Sequence, residues 1–176
     1  MGRAWPGAYP STHPGRPRWI IPEVKMIRKD LLTPVDAISS DDGDPQGVRA
    51  FAARARDFML SHQWCEEITA GYLGLGLPGV LGVFLFEIVP SRPGIDRELW
   101  VVAGDLPPAY IVSDDAPGPL EALRAYVSEM GRWVDAVRCR RSLEGVIPVN
   151  GAPTVANAEQ LEGRLNFIKS EILDTA

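Results

Sequence analysis

His62, Cys65 and Glu66 are the residues of this chain whose types and spacing come nearest to a reactive group. At i, i+3 and i+4 they fall on one helical face, and the helix that starts at Pro45, or a second one after a kink, is expected to continue through Trp64 towards Ala70. An imidazole next to a thiol can take its proton and leave a nucleophile; imidazole, thiolate and carboxylate are also zinc ligands. For metal the set is incomplete. The other histidine, His13, sits in a proline-rich stretch, and no second cluster completes a shell, so no metal site is expected. A structural Cys65 beside a surface histidine is the competing reading, since buried cysteines are commonly inert.

Carboxylates form the second group. Asp105, Asp114 and Asp115 bracket a short apolar run, and Glu66, Glu67 and Glu87 are candidates to lie near them. Paired carboxylates perform acid–base work when one is desolvated and the other stays ionised. Against this, Asp105 suits a Gly-Asp turn, and Asp114 and Asp115 precede a helix, where anions are stabilised. As a binding loop, the Gly104–Tyr110 turn is the stronger candidate. Gly104, Asp105, Pro107, Pro108 and Tyr110, with Asp114 nearby, combine an anion, two stiffening prolines and an aromatic ring. The rival expectation is a tight strand connection with Tyr110 packed inward.

Gly74, Gly76 and Gly79 spell the G-x-G-x-x-G pattern. A dinucleotide site needs a strand before these glycines and a helix after them, to meet a pyrophosphate. The order here is helix, glycines, strand, with Pro78 inside the turn, so the nucleotide reading is rejected. There is no G-x-S-x-G elbow, P-loop or H-E-x-x-H. No catalytic residue and no cofactor is assigned.

The elements that must position these residues follow from periodicity. Val48, Phe51, Ala52, Ala55, Phe58 and Met59 mark a helix that begins near Pro45. Ile68 to Phe86 carries no charged residue over nineteen positions, long enough to cross a bilayer. Its five glycines and Pro78 break it instead into a loop near 71–79 and a buried strand, Val80–Val89. Strands Glu98–Ala103 and Ala109–Val112 follow with short connections, as in an antiparallel meander. Two helices close the chain. Leu120, Leu123, Val127, Met130, Val134 and Val137 stripe the first, which opens at Pro119. Ala158, Leu161, Leu165, Ile168 and Ile172 stripe the second, with Thr154 as its cap. Each stripe is suited to cover a sheet face. The fold class expected is α+β: a small antiparallel sheet of about three or more strands packed by two or three amphipathic helices.

At 176 residues, with 45% hydrophobic and 23% charged, the chain has the makings of one globular domain. The domain is expected over 45–176, after a Pro-rich irregular N-terminal arm, 1–44. Deleting residues 1–25 should leave the domain folded, and Met26 is a candidate natural start. The start of the chain lacks the apolar core of a secretory signal. A net charge of -5 argues against a dedicated nucleic-acid binder. Cys65 and Cys139 are too far apart in sequence for a redox pair. Two unpaired, mostly buried thiols in a reduced cytoplasmic chain is the reading adopted, with one disulfide as the alternative.

The stretch from Trp100 to Val112, with Trp64 and Trp133 on either side, resembles a family of short bacterial proteins, domain of unknown function forty-eight twenty-six. The shared feature is a tryptophan strand running into Gly-Asp-Leu-Pro and an aromatic: Trp100, Gly104, Asp105, Leu106, Pro107 and Tyr110. The resemblance spans about residues 62 to 137 and omits the arm and the last helix. That family carries no established activity, so the resemblance implies only a bacterial, cytoplasmic protein. The function expected is a non-catalytic binding or protein-interaction module, accessory or immunity-type, with a protein partner or homodimer and neither nucleic acid nor membrane. The small-molecule ligand is left open. The alternative is a small hydrolase or transferase using Cys65 with His62, or the carboxylates near Asp105.

Overall fold

The computed structural model describes residues 27–38 and 45–175. An α+β architecture results: five antiparallel strands in the order β1-β2-β3-β4-β5, with helices on both faces. The strands are β1 (Thr33–Pro34), β2 (Cys65–Leu77), β3 (Leu81–Pro90), β4 (Glu98–Gly104) and β5 (Leu106–Val112). The helices are α1 (Pro45–Leu60), α2 (Pro119–Arg138) and α3 (Val155–Ile168). Among the described residues no helix is long and apolar enough to cross a membrane.

The two terminal helices do not take one face each. α2 and α3 pack together over Leu81, Val83, Leu85, Trp100, Val102, Ala109 and Ile111, while α1 packs over Phe84, Phe86, Ile88, Leu99 and Val101. This explains the unbroken apolar run of β3. A strand buried on both faces has no polar side to alternate with. The expected starts of the helices hold. α2 opens on Pro119, and the Thr154 hydroxyl accepts from the Asn157 N–H at 3.2 Å to cap α3.

α1 stops earlier than its pattern suggested. The Ser61 hydroxyl and the His62 Nδ1–H both donate to the Phe58 carbonyl, at 2.7 and 2.8 Å, and the chain turns into β2. The glycine-rich segment at 71–79 is not a loop. β2 runs through Gly71, Gly74 and Gly76, paired with β3 from Cys65↔Pro90 to Leu77↔Leu81. A β-carbon at Gly74 would stand 2.7 Å from Pro119 and 2.9 Å from the Trp100 ring, so bare backbone lets the strand pass beneath α2. The turn is confined to Pro78-Gly79. Val80 N–H donates to the Leu77 carbonyl at 3.0 Å, with Gly79 at φ 71°, the arrangement of a type II turn.

Residues 27–38, part of the stretch expected as a Pro-rich irregular arm, are packed on the domain. Ile27 and Leu32 rest against the α2–α3 core, β1 pairs with Leu73 and Tyr72 at the β2 edge, and Val35 and Ile38 join the α1 core. The segment thus straps the edge of the sheet. Lys29 Nζ donates to Glu87 at 2.7 Å and Glu98 at 2.5 Å, two carboxylates directly opposite on β3 and β4. Burial alone would lower the Lys29 pKa, but its bonds to both glutamates outweigh that and raise it. The Lys29 bond holds the Glu87 carboxyl below its ordinary range. Arg49 donates to the Ile38 carbonyl and ties the strap to α1. Trp5, Tyr9 and Trp19, the aromatics suited to dock the arm, His13, and residues 39–44, which read as an exposed acidic linker, lie outside the described residues.

Candidate functional site

The expected thiol cluster does not assemble on a helix. His62 lies in the turn after α1, and Cys65 opens β2, where strand alternation buries the thiol and exposes Glu66. Cys65 is only 6% exposed, and its Sγ–H lies 4.0 Å from the Glu67 carbonyl. Burial pushes its pKa up, with Arg56 pulling weakly the other way, so the thiol is kept protonated. His62 spends Nδ1 on the Phe58 carbonyl, so that nitrogen is not offered to the sulfur. Its ring packs between aromatics: Phe58, Trp64 and Tyr110 have centroids 4.8, 4.9 and 5.5 Å away. Neither cysteine forms a disulfide, and Cys139 is exposed rather than buried. Among the described residues no three of His, Cys, Asp and Glu are grouped to hold a metal ion.

The carboxylates also disperse. Glu87 is held by Lys29, Asp105 by Arg164, and Asp114 lies near Asp96. Burial raises the Asp96 carboxyl, and the Asp114 charge raises it further. Asp96 was not singled out in the sequence, because nothing local marks its loop as facing Asp114.

The Gly104–Tyr110 stretch is not a loop. Only Asp105 separates β4 from β5, and Pro107 and Pro108 stand on β5, an edge strand of the sheet. The pairing steps from Val102↔Ala109 to Gly104↔Leu106, so both prolines oppose Ala103 in a β-bulge. Prolines are tolerated there because an edge bulge needs no ladder N–H. Gly104 is fixed by packing: a β-carbon would sit 2.2 Å from the Val80 carbonyl oxygen. Asp105 N–H donates to that same oxygen at 2.8 Å, joining the turn to the β2–β3 hairpin. Tyr110 faces α1, against Trp64 at 5.2 Å and His62, whereas Asp105 faces α3. Asp105 and Tyr110 share no site.

What does assemble is a cleft of 280 Å³ between the hairpin tip, the Asp105 turn and α3. Val80, Leu106 and Ile168 supply apolar lining, and Gly79 and Gly163 leave its walls without side chains. Phe167 stands at its side, 46% exposed. Arg164 Nη2 donates to Asp105 Oδ2 at 3.0 Å, with side chains 45% and 70% exposed. Beneath them the Tyr126 hydroxyl donates to the Pro107 carbonyl at 2.8 Å and braces the bulge. Burial raises that phenol far above its usual range, with the Arg164 charge acting in the opposite direction. Asp105 was legible in the sequence. Arg164 and Phe167 were not, because on a helix they carry no periodic or motif signal.

No protein-family model matches the chain, and neither a curated protein nor a solved structure matches it.

Proposed function

We propose that this protein is a non-catalytic binding module of accessory type, with the cleft beside Asp105 and α3 as its binding surface. The observation that carries the reading is the cleft itself: an apolar hollow rimmed by a half-exposed phenylalanine and a single exposed ion pair. Apolar concavities with a few placed polar groups are the usual form of binding sites. The side chains that would serve a thiol enzyme are engaged in other ways. Cys65 is buried and held protonated, and the His62 Nδ1–H caps α1. The proposal includes the bacterial, cytoplasmic setting that the Trp100–Tyr110 resemblance implies, with both thiols reduced.

Nuclear magnetic resonance screening of the full chain with a small-fragment library tests it. Fragment-induced shifts should cluster on the amides of Gly79, Asp105 and Gly163, and Gly163→Trp should abolish them by filling the cleft. A β-carbon at Gly163 meets nothing within 4 Å, so a side chain can leave the backbone there without a clash, and an unchanged thermal melt checks that the variant is folded. Shifts scattered away from the cleft would overturn the assignment of the surface. For the enzymatic alternative, Cys65 is labelled with an aromatic disulfide in a Cys139→Ser background. Slow reaction that accelerates only in denaturant is expected. Fast native labelling at neutral pH would restore the thiol hydrolase or transferase.

A further inference from the structure

We propose that the cleft binds a free α-amino acid with an apolar side chain. The inference rests on the cleft being the binding surface and specifies its ligand. Three features select the class.

The first is charge. The mouth of the cleft presents one cation and one anion, Arg164 and Asp105, meeting through a single contact of 3.0 Å. Asp105 Oδ1 and the remaining guanidinium N–H groups are left for a ligand. An exposed pair of this kind is weak and opens readily. An α-amino acid carries a carboxylate and an ammonium on the same carbon, so it replaces one ion pair by two. The carboxylate takes Arg164, where a two-point contact is available, and the ammonium takes Asp105. A simple carboxylate would leave Asp105 facing a like charge, and a simple amine would do the same to Arg164.

The second feature is size. At 280 Å³ the cleft lies just below the range of about 300–1,000 Å³ typical of drug-sized ligands, which favours a single residue. The third is the lining. Val80 and the edge of Leu106, over the fully buried Ile168, offer apolar surface to one side chain, and the half-exposed Phe167 stands beside it. Gly79 and Gly163 are open beyond their α-carbons, so the backbone of a ligand can lie close to both.

The experiment is a calorimetric and resonance titration of the full chain with L-leucine, 4-methylpentanoate and 3-methylbutylamine. These share the side chain and differ only in the charged groups. L-Leucine should bind saturably, shifting Gly79, Gly163 and Phe167. Each single-charge analogue should bind at least about tenfold more weakly, the factor set by 1.4 kcal/mol. Arg164→Gln and Asp105→Asn should each weaken L-leucine by a similar factor while the melting temperature stays put. Equal binding of 4-methylpentanoate would make this a carboxylate site and overturn the proposal. A leucine-terminated dipeptide that binds more tightly than leucine would make it a peptide-terminus site, with the same consequence. So would the absence of shifts up to about 10 mM leucine, beyond the millimolar range suited to exposed ion pairs. If fragments occupy the cleft and leucine does not, the ligand class fails and the binding module stands; if neither binds, both fail.

Discussion

Removing the strap should cost far more than removing the residues before it. Ile38 is 3% exposed in the α1 core, and burial of a large aliphatic side chain contributes about 1.5–3 kcal/mol. Loss of Lys29 leaves Glu87 facing Glu98 with no cation between them, and like charges directly opposite cost about 0.2–1 kcal/mol. The half-buried Ile27, Leu32 and Val35 add apolar contact, offset by the entropy of ordering their backbone. Deleting residues 1–38 should therefore destabilise the domain by about 2–4 kcal/mol. A domain of this size shifts about 2–4 °C per kcal/mol, so the melting temperature should fall by roughly 5–15 °C. Deleting residues 1–25, a stretch without periodic apolar surface, should move it by no more than a few degrees. Circular-dichroism melts of the three chains side by side make the comparison. Should the 1–38 deletion melt within about 2 °C of the full chain, the strap contributes no stability and the reasoning from its burial is wrong.

Three further perturbations follow from the same geometry. The Glu87 pKa is lowered, so its stabilisation is present above the unfolded carboxylate value near 4.3 and fades as pH falls through the lower folded value. Denaturant titrations from pH 7 to pH 3 should show the wild type losing more stability than Glu87→Gln, and parallel losses would remove Glu87 from the account. Asp105→Ala deletes an exposed ion pair, which should cost less than about 1 kcal/mol; a larger loss in a thermal melt would make the aspartate structural. Gly104→Ala drives a β-carbon against the Val80 carbonyl and the Leu81 α-carbon, neither of which can rotate away. About 1–3 kcal/mol of destabilisation is expected in the same assay, and a neutral result would mean the two strands separate freely there.

The helices were legible because each carries its own evidence. The stripe from Leu123 to Val137 and the cap at Thr154 are local signals, and both elements form where they point. β2 was illegible for the opposite reason. Its glycines look like a loop until Trp100 and Pro119, distant in sequence, are seen to need the space at Gly74. The burial of β3 from Leu81 to Phe86 without a polar break was the one sequence signal that both sheet faces are covered, and it bears directly on where α1 goes.

The candidate site turned on strand parity. Read as a plain alternation from Leu106, residues 106, 108 and 110 share a face, and Tyr110 then sits on the same side as Leu106. The Pro107–Pro108 bulge adds one residue against Ala103, and the count shifts. Ala109 and Ile111 join Leu106 on the α2–α3 face, while Tyr110 is carried to α1 and the ring of His62. Two prolines that read as stiffeners of a loop are therefore the device that divides it. Once Tyr110 is on the far face, the groups left beside Asp105 are those α3 brings, and Arg164 and Phe167 acquire a role that no spacing along the helix announces.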